Sequence, residues 1–103
     1  MHDRLQQTLV DRLTDSGRYD KIIQNYEYKI NGVVRGELDV MAFTRDSVHI
    51  YEVKSNKHKL YKATEQLKRF HELTHPTIQP KYIFYSPKKV KRIYIVDNRK
   101  LFK

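Results

Sequence analysis

Two short segments put ionisable side chains where a strand would ordinarily carry apolar ones. Glu37 and Asp39 stand two residues apart, and so do Glu52 and Lys54. Alternate residues of a strand share a face. Each pair is therefore displayed together, with Leu38, Val40, Ile50 and Val53 expected mainly on the opposite side. If the two segments pair across the polar turn Arg45-Asp46-Ser47, setting residue 39 against residue 52 centres the hairpin between Arg45 and Asp46. Turn and ionisable residues thus ask for the same register, and a slip of one would send every side chain to the wrong face. Carboxylates opposite each other on neighbouring strands repel. A hard divalent cation, Mg²⁺ or Mn²⁺, relieves that repulsion because carboxylate oxygens are its natural ligands. Such an ion lowers the pKa of a bound water and neutralises charge on a phosphate. Lys54, beside Glu52, is placed to orient or deprotonate the water and to stabilise the pentavalent phosphorus. The chemistry indicated is metal-assisted hydrolysis of a phosphodiester.

A lone Glu-x-Lys on a strand is ordinarily solvent-face decoration, its ion pair worth about 0–1 kcal/mol. The acid on the hairpin partner and the agreeing register favour chemistry, and so does the charge distribution. Of the 103 residues, 21 are Lys or Arg and 12 Asp or Glu, a formal net charge of +9. Residues 1–50 hold seven basic and eight acidic side chains, whereas residues 51–103 hold fourteen and four. Such asymmetry points to a polyanionic partner. The chain has no Cys, which excludes a disulfide scaffold and a thiolate zinc site. No apolar run approaches the roughly 18 residues of a membrane span, and the opening residues lack the apolar core of a signal peptide. A single soluble domain over residues 1–103 is expected, without membrane association. A cytoplasmic location is expected too, and a compact chain without Cys suits a virus-encoded protein.

The elements that must position these residues follow from periodicity. Leu5, Leu9 and Leu13 form one stripe of a helix over residues 3–16, stopped by Gly17. Residues 21–30 read as a strand, Asn31-Gly32 as a tight hairpin turn, and residues 33–44 and 48–54 as the next two strands of an antiparallel meander. Leu60, Ala63, Thr64, Leu67, Phe70 and Leu73 recur at helical spacing through residues 59–74, and His75-Pro76 ends that helix. Residues 80–86 and 92–96 are the last strands, separated by a turn at Ser86-Pro87-Lys88.

Asp39 and then Glu52-Val53-Lys54, on a hairpin between two helices, resemble the PD-(D/E)XK nuclease superfamily. The strings Gly36-Glu37-Leu38-Asp39-Val40-Met41-Ala42 and Ile50-Tyr51-Glu52-Val53-Lys54-Ser55 are similar to those of archaeal-type Holliday junction resolvases. Gln66 followed by Phe70 is similar to the second-helix pattern of RecB- and Cas4-like nucleases. The resemblance covers roughly residues 3–86. It implies a restriction-endonuclease-like α/β (α+β) fold, an αβββαβ core with a central mixed sheet flanked by helices. It further implies Asp39, Glu52 and the Val53 backbone carbonyl as metal ligands, Lys54 as the catalytic lysine, and Gln66 as a residue positioning Lys54, the water or a phosphate. Leu38 stands where the family usually has Pro, and residues 3–16 contain no Glu where many members place a metal ligand. Asp3, Gln6, Gln7 and Asp11 are the substitutes available there, and Glu37 is a further candidate from the strand.

The expected protein is a Mg²⁺- or Mn²⁺-dependent DNA endonuclease, structure-selective like a junction resolvase or a nicking enzyme. A chain this short leaves no room for a sequence-reading domain, and a homodimer suits symmetrical cutting. The alternative is a nucleic-acid-binding protein that keeps the nuclease fold with weak or no cleavage. Lys57, Lys59, Lys62, Lys68 and Arg69 are the expected DNA-backbone contacts. The group Lys88, Lys89, Lys91 and Arg92 reads equally as a second contact or as a guard on an edge strand. His49 reads as a packed or surface residue, Tyr82, Tyr85 and Tyr94 as strand packing, and His58, His71 and His75 as lacking a zinc spacing.

Overall fold

The computed structural model describes residues 2–95. Helix α1 (His2–Asp15) precedes strands β1 (Lys21–Ile30), β2 (Val33–Phe43) and β3 (Val48–Val53); a 3-10 turn (Lys57–Lys59) leads into helix α2 (Leu60–Thr74), followed by β4 (Lys81–Ser86) and β5 (Lys89–Ile93). The strands form one sheet in the order β1-β2-β3-β4-β5. All neighbours are antiparallel except β3 and β4, which run parallel. A parallel pair needs a crossover, and α2 supplies it. The architecture is α+β, with one helix on each face of a mixed sheet.

Each helix covers its own core. Leu9 and Val10 of α1 pack with Val40, Ala42, Tyr51, Val53 and Tyr85. Ala63, Leu67 and Phe70 of α2 pack with Tyr28, Leu38, Ile50, Tyr82 and Phe84. Leu67 and Phe84 are fully buried, each worth about 1.5–3 kcal/mol of hydrophobic transfer. α2 stops at His75, whose left-handed backbone (φ 46°) returns its N–H to the His71 carbonyl before Pro76.

The β1–β2 hairpin turns on Asn31 (φ 53°) and Gly32 (φ 80°), the paired positive angles that suit a two-residue hairpin loop. Lower down, the ribbon turns over. Leu38 belongs to the core under α2, whereas Val40, two residues on, belongs to the core under α1. Strict alternation forbids that. The break lies at residue 39, opposite a left-handed Asn25 (φ 54°) on β1, between the pairs Gln24↔Val40 and Tyr26↔Leu38. The expectation that Leu38 and Val40 share a face is therefore corrected.

Two further corrections concern register and extent. Ile50 does not oppose Glu52 but lies on its side of β3, two residues away and within the core under α2. β5 runs over Lys89–Ile93 rather than 92–96, because Ser86 pairs directly with Lys89 and its hydroxyl both donates to the Lys89 carbonyl and accepts from the Lys89 N–H. Val96 of the expected strand lies outside the described residues. Tyr82 and Tyr85 are buried as expected, but Tyr94 is exposed beneath the Arg92 guanidinium, 4.7 Å from its ring centroid. No described helix is long and apolar enough to cross a membrane.

Candidate functional site

The β2–β3 pairing runs Phe43↔Val48, Ala42↔His49, Met41↔Ile50 and Val40↔Tyr51, and stops there. The same register carried one step further sets Asp39 against Glu52, as the sequence requires. Beyond this point β2 leaves β3, and the Asp39 side chain takes over the ladder: its Oδ2 accepts the Val53 N–H at 2.8 Å. On its other edge β3 stays attached to β4, with the Lys54 N–H donating to the Tyr85 carbonyl at 2.9 Å. The end of β3 is thus held by backbone on one side and opened by an acid on the other.

Glu52 is 2% exposed. Burial, then the neighbouring Asp39, pushes its carboxyl up to about 8, and Lys54 only partly offsets this. The Lys54 ammonium lies 3.7 Å from Glu52 Oε2. Among the described residues the other oxygen, Oε1, is buried without a well-formed hydrogen bond, although the Asp39 backbone N–H lies close enough to favour the ionised carboxyl. Leaving a buried acceptor unsatisfied costs about 1–3 kcal/mol, more for a charged group. A protein keeps such a group where strain serves function or a ligand completes it.

This chemistry fits a hard divalent cation. Asp39, Glu52 and the Val53 carbonyl are all oxygen donors, the kind such a cation takes. Among the described residues no three or more acidic or histidine side chains are gathered so that they could hold a metal ion, so these donors amount to two carboxylates and a carbonyl. Glu37, offered by the sequence as a further ligand, does not join the pair. It sits on the exposed arm that β2 forms after leaving β3, paired with Glu27, beyond the point where alternation breaks.

The residue missed in the sequence is His2. Its Nε2 lies 2.9 Å from the Val53 carbonyl and 3.5 Å from Asp39 Oδ2. The first helix does reach the site, through its first residue rather than through an acid. Gln6, one turn later and on the same face, is buried and donates to Gln24 Oε1 and Asn25 Oδ1. It thereby docks α1 onto the break in β1. His2 and Gln6 precede Leu9 and Leu13 on the inward stripe, a signal legible once the helix is started one residue earlier. The other substitutes considered on α1 stay outside: Asp3, Gln7 and Asp11 are exposed, and Gln7 bonds Asp11.

Gln66 is exposed on α2 and makes no hydrogen bond to Lys54 or Glu52. It lines a small cavity of about 110 Å³ with Tyr28, Arg35, Glu37 and Arg69. Tyr28 links that cavity to the acidic centre: burial raises its hydroxyl pKa, Arg69 opposes this, and Glu52 adds to the rise. Gly36 is required there, because a Cβ would collide with the Tyr28 hydroxyl. The five basic residues expected to hold DNA are all exposed but do not share one surface. Lys57 lines a crevice beside Pro87 and Lys88, whereas Lys68 and Arg69 line a cavity with Arg35 on the α2 side.

No family model matches the chain, and no curated protein does. Its fold resembles that of a solved structure, the crystal structure of SSO0001, with a TM-score of 0.53 and 16% identity over 97% of this chain. The chain spans about half the length of that protein, 54%. At this identity the likeness speaks for the fold alone.

Proposed function

We propose that the protein is a Mg²⁺- or Mn²⁺-dependent DNA endonuclease of the PD-(D/E)XK kind, structure-selective or nicking, acting on branched, duplex or single-stranded DNA as a homodimer. The observation that carries this reading is Glu52, a buried carboxyl with one oxygen lacking a well-formed hydrogen bond, set against Asp39 and 3.7 Å from Lys54. A structural role offers no return for that arrangement, since a Leu or Gln would be cheaper in the same place.

Asp39, Glu52 and the Val53 carbonyl would hold the cation, which when bound supplies charge neutralisation and an acidified water. The remaining work falls to this chain's own groups. Lys54, largely buried and beside Glu52, places its side-chain nitrogen near the reacting phosphate and stabilises the charge that develops on its oxygens. Asp39 fixes the end of β3 through the Val53 N–H, so the spacing of both carboxylates is set by backbone. His2 caps the site from α1.

One observation favours the second reading, a protein that binds nucleic acid with little cleavage. No third acid joins Asp39 and Glu52 among the described residues, and Gln66 stands away from Lys54. The two readings separate in one experiment: labelled junction, duplex and single-stranded DNA incubated with Mg²⁺, Mn²⁺ or EDTA. Cleavage is expected with metal only, and Glu52→Ala and Lys54→Ala are each expected to lower it at least about 10²–10³-fold, the scale of losing one transition-state charge interaction. Cleavage that survives both substitutions sinks the site assignment; binding without cleavage selects the second reading.

A further inference from the structure

We infer that the crevice at the C-terminal ends of β3 and β4 is the track along which a nucleic-acid strand leaves the Glu52–Lys54 centre, gripped mainly through its phosphates. The inference rests on the nuclease reading and names the surface that serves it.

In open sheets, ligands settle outside the carboxyl ends of parallel strands, where the loops diverge. β3 and β4 are the parallel pair here, and the segments that follow them are Ser55–Lys59 and Pro87-Lys88. Two cavities, about 390 and 450 Å³, both include Pro87 and Lys88 in their walls and so adjoin at that turn, as the two stretches of one trough would. The first is walled by Ser55, Asn56, Lys57 and His58, and therefore begins at the residue after Lys54. The second is closed by Thr8 and Arg12 of α1 and by Lys89.

Neither cavity is lined by a single Asp or Glu. Among the described residues, Arg12, Lys57, Lys88 and Lys89 are all exposed, and none lies within ion-pair distance of a carboxylate. Four uncompensated cations around one trough carry a self-repulsion that a polyanion removes. The cavities on the α2 side contrast with this. Arg35, Lys68 and Arg69 line them, but so do Glu37, Glu65 and Glu72, which cancel the charge. An edge-strand guard against aggregation would account for Lys89 on β5. It does not account for Lys88 in the turn or for Lys57 on a different loop.

Among the described residues the trough wall carries no exposed Phe or Tyr, since Tyr85 is 7% exposed, and its one exposed ring is the His58 imidazole. One imidazole against four cations makes backbone charge the main grip, with little dependence on sequence.

The test is fluorescence anisotropy of labelled junction, duplex and single-stranded DNA, and of RNA of the same sequence, in EDTA across about 50–200 mM salt. Lys57→Ala/Lys88→Ala removes two trough charges. Lys21→Ala/Lys81→Ala removes two exposed charges from the opposite end of the sheet, where β1 and β4 begin. The trough pair is expected to weaken binding at least about tenfold and to flatten the log–log salt slope by about two, one per lost phosphate contact. The far pair is expected to stay within about threefold. Both pairs carry the same net charge and alter only exposed side chains, and Lys88→Glu alone provides a third variant with the same expected direction. Equal losses in the two pairs, in a wild-type protein that binds and cleaves, overturn the trough and leave the nuclease reading standing. Binding localised to the trough without metal-dependent cleavage overturns the nuclease reading and keeps the trough. Wild-type protein that binds no nucleic acid at the lowest salt overturns both.

Discussion

His49 and Glu52 are both buried ionisable residues of β3, three positions apart and on opposite faces, and the fold treats them in opposite ways. His49, 7% exposed, sits against Tyr19, whose hydroxyl lies 2.7 Å from Nδ1 and whose ring meets the imidazole edge-on. Burial lowers its pKa, and Lys81, Arg18 and Arg92 lower it further, so it stays neutral and hydrogen-bonded. Glu52, 2% exposed, faces an acid and keeps an oxygen without a well-formed hydrogen bond. Burial alone does not mark a functional group. A buried group whose hydrogen bonds are complete contributes to specifying the fold, and one left incomplete beside a like charge marks a site.

The strongest way to break that contrast is to follow stability against pH without metal. The Glu52 carboxyl is raised from 4.5 to about 8 in the fold. Between those values the folded chain holds a proton that the unfolded chain has released, so stability is present below about 4.5 and is lost as pH rises towards 8. The loss amounts to at most a few kcal/mol, since a tenfold difference in proton affinity is worth about 1.4 kcal/mol. Denaturant melts in EDTA at pH 5 and pH 8 should show it, and Glu52→Gln should remove it. Added Mg²⁺ or Mn²⁺ should restore wild-type stability at pH 8 and leave Glu52→Gln unmoved. A wild-type protein equally stable at both pH values, or one indifferent to metal, would mean that Glu52 is as well satisfied as His49.

A smaller effect tests the other side of the comparison. His49→Phe keeps an aromatic ring but removes the Nδ1 partner of the half-buried Tyr19 hydroxyl, which retains only the Tyr51 hydroxyl at 3.5 Å, at a cost of about 0.5–1.5 kcal/mol. Cleavage measured below the melting temperature should change less than about twofold. A large loss of activity with unchanged stability would move His49 into the chemistry.

The smallest expected effect sharpens the boundary of the site. His2→Ala removes a side chain that is 44% exposed, so stability should shift by less than about 0.5 kcal/mol. Cleavage should fall roughly tenfold if His2 helps to hold Asp39 and the Val53 carbonyl, the lower end of what outer-shell partners of a metal site contribute. An unchanged rate would reduce His2 to a helix terminus resting on β3.

Much of this was legible from neighbouring residues. Leu5, Leu9 and Leu13 declared α1, Leu60 to Leu73 declared α2, and Asn31-Gly32 located the first hairpin. The register of the β2–β3 hairpin was legible as well, because a two-residue period and a polar turn admit few registers, although the ladder stops at Val40↔Tyr51, one step short of Asp39 and Glu52. Glu37 stands on the exposed arm of β2 for the same reason that Leu38 and Val40 parted company: alternation assumes an unbroken strand, and the ribbon turns over opposite a left-handed Asn25 on the neighbouring strand.

The sequence by itself determined the order and kind of the elements and the two carboxylates with their lysine, since periodicity and turn chemistry act over a few residues. Tertiary structure alone decided what surrounds them. It brought His2 to the Val53 carbonyl across 51 positions of chain. It buried Glu52 deeply enough to leave an oxygen without a well-formed hydrogen bond. It joined Lys57 to Lys88 through the parallel pairing of β3 and β4. Each of these is a juxtaposition of distant segments, set by how two helices cover a sheet, and no local pattern encodes it.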